Sequence, residues 1–235
     1  MEQELYSLLQ KNPIQNIACL GFFSNYPLVD YFVENGSILM LGKSDNLWAH
    51  ISSSSKNDLK KLLMEHHSKT KYYFSVEDWM IPLICEYGDS EWIMKTNRYV
   101  LEGSISVDDP EIEINQLDIS SAAYIYSNSE YKKFTSLQYI RDRLSRDISA
   151  GVWVEGNLVA WGFTHDDGAL GFLNVLNDFR KNGYGIKIIQ QLINMRRDQG
   201  KSVFVNIVPD NIPAIKLISK LGFDFDRRVS WIKLK

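Results

Sequence analysis

The chain has 235 residues, of which 45% are hydrophobic, enough for one large domain or two small ones with a buried core. A net charge of -3 and a pI near 5.8 argue against a dedicated nucleic-acid binder, and no run of roughly 18 apolar residues is present to span a membrane. The opening Met1-Glu2-Gln3-Glu4-Leu5 lacks the basic-then-apolar order of a signal peptide, and Cys19 and Cys85 lie far apart in apolar stretches, as free thiols would. Together these features predict a soluble cytoplasmic protein.

Residues 1–103 read as an α/β unit. Leu5 to Gln10 is a short helix, and the continuous apolar run from Ile17 to Phe23 reads as a buried strand. Asn35-Gly36 marks a turn before the strand Ile38 to Leu41, with Trp48 to Ile51 as a further strand. The serines at 52–55 supply an N-cap for a helix lined by Leu59, Leu62 and Leu63 and reaching His67. Tyr72 to Val76 is a strand, Trp79 to Tyr87 a helix with Pro82 in its first turn, and Trp92 to Leu101 a strand.

The polar, proline-bearing stretch 104–112 is the candidate linker, and 113–235 the second unit. That unit is expected to open with a strand from Glu113 to Leu117. Helices from Ser120 to Ser127 and from Ser136 to Ile148 follow. Turns at Glu155-Gly156-Asn157 and Asp166-Asp167-Gly168 then separate strands at 152–154, 158–164 and 169–176. Ile186, Ile189 and Ile193 mark a helix ending at Gly200, Val203 to Val208 a buried strand, and Asp210 the cap of a helix closed by Gly222. Phe223 to Leu234 forms one or two last strands.

Between a strand and a helix lies Arg180-Lys181-Asn182-Gly183-Tyr184-Gly185. Gly183 and Gly185 let a phosphate approach the backbone, and the first helical N–H groups, with Ile186 in that turn, have no intrahelical acceptor. From Arg180 onward twelve Lys and Arg stand against four Asp and Glu, a local surplus of +8 that suits a polyanionic ligand. The loop alone is equally consistent with an ordinary glycine turn, and the charge with solvated helix faces.

Two ordered motifs narrow the reading. Leu173-x-Val175 followed by Asp178-Phe179-Arg180-x-x-Gly183-x-Gly185 resembles the acyl-CoA motif of the GCN5-related N-acetyltransferase (GNAT) superfamily. Asn211-Ile-Pro-Ala214, running into Lys220-Leu-Gly-Phe223, resembles its last motif. The segments Gly151-Val-Trp153 to Trp161 and Ser230-Trp231-Ile232 look most like the FR47-like and glycine N-acyltransferase-like branch. The resemblance covers about 113–235. It implies a mixed α/β sheet opened into a V, with coenzyme A held by Leu173, Val175, Arg180, Lys181, Asn182, Gly183, Tyr184, Gly185, Ile186 and Asn211. The Val175 N–H would face the thioester carbonyl and its developing oxyanion, and Asn211 would bond the cofactor or cap a helix. The reaction implied is transfer of acetyl from acetyl-CoA to a primary amine of a small molecule or peptide by direct attack in a ternary complex. A non-catalytic acyl-CoA-binding or regulatory module is the alternative, and a longer acyl donor a third reading. The partners expected exclude nucleic acid and membrane, and the chain would be a monomer or a homodimer. The first unit, with elements in a similar order but no glycine loop, reads as a degenerate copy of the same fold, an idea that requires a similar splay.

Two positions depart from the family. The tyrosine expected seven residues after Asn211 is Ile218, and the glutamate expected at the start of the strand before the loop is Ala169. His165 and Asp178 are the nearest titratable side chains, each with a plainer reading as a turn or cap residue. A thiolate can leave unassisted and water can relay the amine proton, so a dedicated base is not required. Gly42-Lys43-Ser44 lacks the upstream glycine of a phosphate-binding loop, and His66-His67 point in different directions, so no metal site is expected. Tyr124, Tyr126, Tyr131, Phe134 and Tyr139 read as core packing or as the wall of an acceptor pocket.

Overall fold

The computed structural model describes residues 3–103, 112–129 and 132–235. The first part of the chain runs α1 (Gln3–Leu9), α2 (Ile17–Asn25), β1 (Leu28–Glu34), β2 (Ser37–Lys43), β3 (Leu47–Ser52), α3 (Lys56–His66), β4 (Tyr72–Glu77), α4 (Ile81–Cys85) and β5 (Ser90–Leu101). The second runs α5 (Ala122–Ser127), α6 (Leu137–Arg146), β6 (Ser149–Val154), β7 (Asn157–Thr164), β8 (Leu170–Val175), α7 (Tyr184–Asp198), β9 (Val203–Ile207), α8 (Ile212–Lys220) and β10 (Asp224–Leu234). The two series have the same order: two helices, a three-strand meander, then helix, strand, helix, strand. The fold class is thus mixed α/β, as the sequence suggests.

Contact density divides the chain into two compact units. The first is Met1–Tyr99 with Asn206–Ile215 and Asp224–Lys235, and the second is Val100–Val205 with Lys216–Phe223. The last strand joins the first unit, and 104–111, where the sequence places the linker, fall outside the described residues. That strand, β10, pairs antiparallel with β4, from Val229↔Glu77 to Lys233↔Tyr72, so the end of the chain completes the first unit. Charge pairs fix that return. The Arg98 guanidinium, 2% exposed, donates from Nε to Asp226 at 2.7 Å and from Nη2 to the Ile14 carbonyl at 3.1 Å, while Arg227 bonds Glu77 at 2.8 Å.

In the first unit the strand order is β1-β2-β3-β4-β10-β5. The β1–β2 turn uses Asn35 (φ 46°) and Gly36 (φ 86°), the left-handed pair that matches the twist of a two-residue hairpin. Antiparallel β2 and β3 need only such a short link, whereas parallel β3 and β4 need a crossover, which α3 supplies. Ser55 caps α3 by accepting from the Asp58 N–H at 3.3 Å. Leu59, Leu62 and Leu63 bury one face of the helix, each worth about 2 kcal/mol of transfer free energy. Three local expectations are corrected. Ile17–Phe23 is helical in α2, because an unbroken apolar run has no period to separate helix from strand. Strand β1 escapes the sequence reading because Asp30 and Glu34 dilute its apolar signal. Glu113–Leu117 makes only an isolated bridge, Asn115↔Gly151, in place of a strand.

The second unit has the strand order β9-β8-β7-β6. Parallel pairing between β8 and β9 is confined to Leu170↔Val205, whereas β3 and β4 pair at Trp48↔Tyr72, Ala49↔Tyr73 and His50↔Phe74. In both units the pairing stops before the strands do, and earlier in the second. The two cysteines are free thiols, Cys19 buried and Cys85 half-buried.

His50 is fully buried against Phe22, Phe23 and Phe74, with ring centroids 4.3, 4.9 and 4.6 Å away. Neither ring nitrogen has a hydrogen-bond partner. Burial pushes its pKa from the usual 6.5 down to about 3. The unfolded chain therefore binds the proton first on acidification. The stability that neutral His50 contributes is whole above pH 6.5 and falls as pH drops toward 3, by about 1.4 kcal/mol per pH unit. His50→Leu should flatten that part of the pH dependence in urea melts and stabilise the unit at neutral pH, because it removes two unpaired buried nitrogens. An unchanged slope between pH 6 and 4 would contradict this assignment.

Candidate functional site

Strand β8 carries the candidate site. Leu176 N–H donates to the Val159 carbonyl at 2.9 Å, so alternation turns the backbone groups of Val175 and Leu173 to the other edge, where β9 pairs only at Leu170. The Val175 carbonyl accepts from Arg180 Nε at 3.1 Å, consistent with that orientation. Beyond Val175 a single 3-10 turn, Asn177–Phe179, leads to the loop. Asn182 bonds the Phe179 carbonyl at 3.2 Å, and Arg180, Lys181 and Asn182 are exposed.

The N-cap of α7 is Gly183, at φ 81°, with no side-chain cap on the first turn. A Cβ on Gly183 would meet open space. One on Gly185 would sit 3.6 Å from Val175 and 3.9 Å from Leu173, between the helix start and the open strand edge. The helix thus presents uncapped N–H groups, the positive end of its dipole and an unobstructed backbone, followed by 15 residues of α-helix. Its core face is Ile188, Ile189, Leu192 and Ile193, all buried.

The remaining expected residues are placed as follows. Asn211 is a helix cap, its Oδ1 accepting from Ala214 N–H at 3.2 Å, and it takes the role assigned to Asp210. Asp178 is exposed in the 3-10 turn. Ala169 and Ile218 are buried at 0% and 2% exposure, so no side chain occupies either position as acid or base. Tyr131 lies outside the described residues. Tyr124 meets Trp161 edge-on at 5.9 Å and is 42% exposed, Phe134 is exposed, and Tyr126 and Tyr139 are half-buried.

His165 is not a solvated turn residue. Its ring packs on Phe172 with centroids 4.7 Å apart. Burial first, and the Arg143 guanidinium second, push its pKa from 6.5 down to about 4, so it is neutral at pH 7 and a weak base. Around it sits a buried charged cluster. Arg143 donates to the Thr164 carbonyl at 3.1 Å, to Thr164 Oγ1 at 3.0 Å and to Asp147 at 3.2 Å. Arg196 approaches Asp147 at 3.6 Å. Tyr139 Oη donates to Asp166 at 3.1 Å, and burial together with that carboxylate holds the phenol well above its usual pKa. Asp167 accepts from Ala169 N–H at 3.0 Å. Periodicity reveals none of this, because Arg143 looks like a polar helix-face residue and Tyr139 like core packing or a pocket wall. Among the described residues no group of three or more His, Cys, Asp or Glu could hold a metal ion, and no helix is long and apolar enough to cross a membrane.

Residues 151–232 match the family described as FR47-like protein. Among solved structures, a Drosophila melanogaster protein is similar with a TM-score of 0.70 and 21% identity, over 85% of this chain and 74% of that one. A GCN5-related N-acetyltransferase from Kribbella flavida gives 0.61 and 11%, over 94% of each chain. A tandem GNAT protein from the clavulanic acid biosynthesis pathway gives 0.55 and 14%, over 93% of this chain and 87% of that one. A search of curated proteins finds no match. At these identities the structural likeness is one of fold. The chain thus has the fold of these GCN5-related N-acetyltransferase structures, and its residues 151–232 match the FR47-like family.

The charged cluster yields a stability prediction. Arg143→Met should lower unfolding free energy by about 3 kcal/mol, because Asp147 and the Thr164 carbonyl lose their shared buried donor. Urea titration measures it, and a loss below about 1 kcal/mol would show that the cluster does not hold the α6–β7 packing.

Proposed function

We propose that the second unit binds acetyl-CoA and transfers its acetyl group to a primary amine within a ternary complex. The observation that carries this reading is the open edge of β8 leading directly to an uncapped, glycine-flanked helix start. A pyrophosphate fits that start. Tyr184, Gly185 and Ile186 offer backbone N–H groups, Gly183 leaves space, and Arg180, Lys181 and Asn182 supply charge and donors at its rim. Leu173 and Val175 offer the extended backbone that the amides of a pantetheine arm can pair with. The Val175 N–H is the candidate donor to the acyl carbonyl. Asn211 is a candidate by resemblance alone.

The acyl donor supplies an activated thioester. The amine nitrogen bonds the acyl carbon, the carbon–sulfur bond breaks, and the amine proton passes to solvent while the thiolate gains one. With Ala169 and Ile218 buried, water is the proton carrier. Asp178, exposed beside the loop, is the remaining side-chain candidate, and His165 is too weak a base for the step at pH 7. The acceptor is an amine of a small molecule or peptide. We place the activity in the cytoplasm, on a monomer or a homodimer. We also read the first unit as a degenerate copy of the same fold. The shared element order supports it, and the missing glycine loop and longer β3–β4 pairing are where it degenerates.

A second reading, an acyl-CoA-binding module without turnover, draws on those same two buried apolar positions. Thiol release measured over a panel of amines separates the two: binding of coenzyme A with no release on any amine favours the module.

The loop itself is tested at Gly183. Gly183→Asp should abolish coenzyme A binding by calorimetry, since it places a carboxylate where the phosphate sits. Gly183→Asn, which tolerates a left-handed backbone and adds no charge, should retain the fold and much of the affinity. Wild-type affinity in Gly183→Asp would remove the loop from the cofactor site.

A further inference from the structure

Phe172 occupies a backbone state that its residue type disfavours. It lies within β8, yet its φ is +50°. The register shows why. Trp161↔Asn174 and Phe163↔Gly171 are two residues apart on β7 and three apart on β8, so Phe172 and Leu173 share one partner in a β-bulge. The bulge sits between the paired start of the strand and the residues whose backbone faces the open edge. A non-glycine residue at positive φ persists where its surroundings over-determine it.

Three rings surround Phe172. Phe163 stacks on it at 4.2 Å with planes 12° apart, His165 lies at 4.7 Å, and Tyr139 at 6.0 Å. His165 also seats against the backbone of Gly171. Any Cβ on Gly171 would overlap its Nε2 and Cδ2, so the imidazole occupies the space that a side chain at 171 would fill. Its backbone is fixed by the turn, with His165 N–H donating to the Ala169 carbonyl at 2.8 Å and Gly168 N–H to the His165 carbonyl at 2.9 Å. The next residue, Asp166, holds the Tyr139 hydroxyl on the far side.

We propose that His165 is a positioning residue. Seated on Gly171, its ring wedges Phe172 into the left-handed conformation and thereby aims the backbone of Leu173 and Val175 at the acyl donor. This rests on the proposed reading of β8 as the cofactor strand. It gives His165 a task without proton transfer, in keeping with a ring that stays neutral down to about pH 4.

The test uses the full chain and coenzyme A itself. His165→Ala should weaken coenzyme A binding at least about fivefold, the scale of the backbone strain released, and speed amide exchange across 171–175. His165→Phe keeps a ring without a titratable nitrogen, and should restore affinity, exchange protection and the wild-type pH profile of thiol release. In a Phe172→Gly background, where the backbone accepts positive φ freely, His165→Ala should have no further effect on any of these. Unchanged affinity and exchange in His165→Ala would overturn the wedge. So would a His165→Phe variant that binds coenzyme A normally but loses turnover, which would make the imidazole a catalytic group. Amide exchange reads the wedge without cofactor, so a wild type that fails to bind coenzyme A refutes the functional reading and leaves the exchange result to decide the positioning role.

Discussion

A strand edge without a neighbour must find partners for its N–H and C=O groups, and the second unit leaves such an edge on β8. Parallel pairing with β9 ends at Leu170, yet β8 continues to Val175. The features around the site follow from that unfinished pairing. The bulge at Phe172 sets which groups face the gap, Arg180 takes the Val175 carbonyl, and the chain turns directly into α7 with its first N–H groups uncapped. An extended ligand ending in phosphates can satisfy both kinds of unmet group.

The first unit treats the same architecture differently. Its parallel strands pair at three positions, and aromatic side chains pack around His50 beside them. Where β8 leads to glycines at the start of a helix, β3 leads to serines, and Ser55 caps α3 with its own side chain. A capped helix start and a more fully paired strand leave little unmet backbone chemistry. Two versions of one element order thus differ in how far local groups complete the hydrogen bonding.

Buried charge serves geometry in both units. Arg98 ties Asp226 of the last strand to the carbonyl of Ile14, and Arg143 ties α6 to the end of β7 through Thr164. Such pairs add little net stability over apolar packing, but removing one partner strands the other. Their effect is to fix where β10 returns and how the 164–169 turn is held, and that turn carries His165.

The loop from Arg180 to Gly185 and the helix after it were legible in the sequence, because glycine spacing, charge and apolar period are local properties. The three-strand meander of the second unit was nearly as clear, since turn residues such as Glu155-Gly156-Asn157 act over a few positions. Helix α2 was misread because nine almost wholly apolar residues carry no period, and β1 was missed because its charged residues break the alternation. The tertiary structure alone decided three matters. It sent β10 to the first unit, a pairing over more than 130 residues that no window reveals. It packed His165 against Phe172, although its neighbours in sequence are polar turn residues. It gave Phe172 a positive φ that propensity assigns to glycine, because that conformation is imposed by rings from α6, β7 and the turn, which come together only when the sheet has formed.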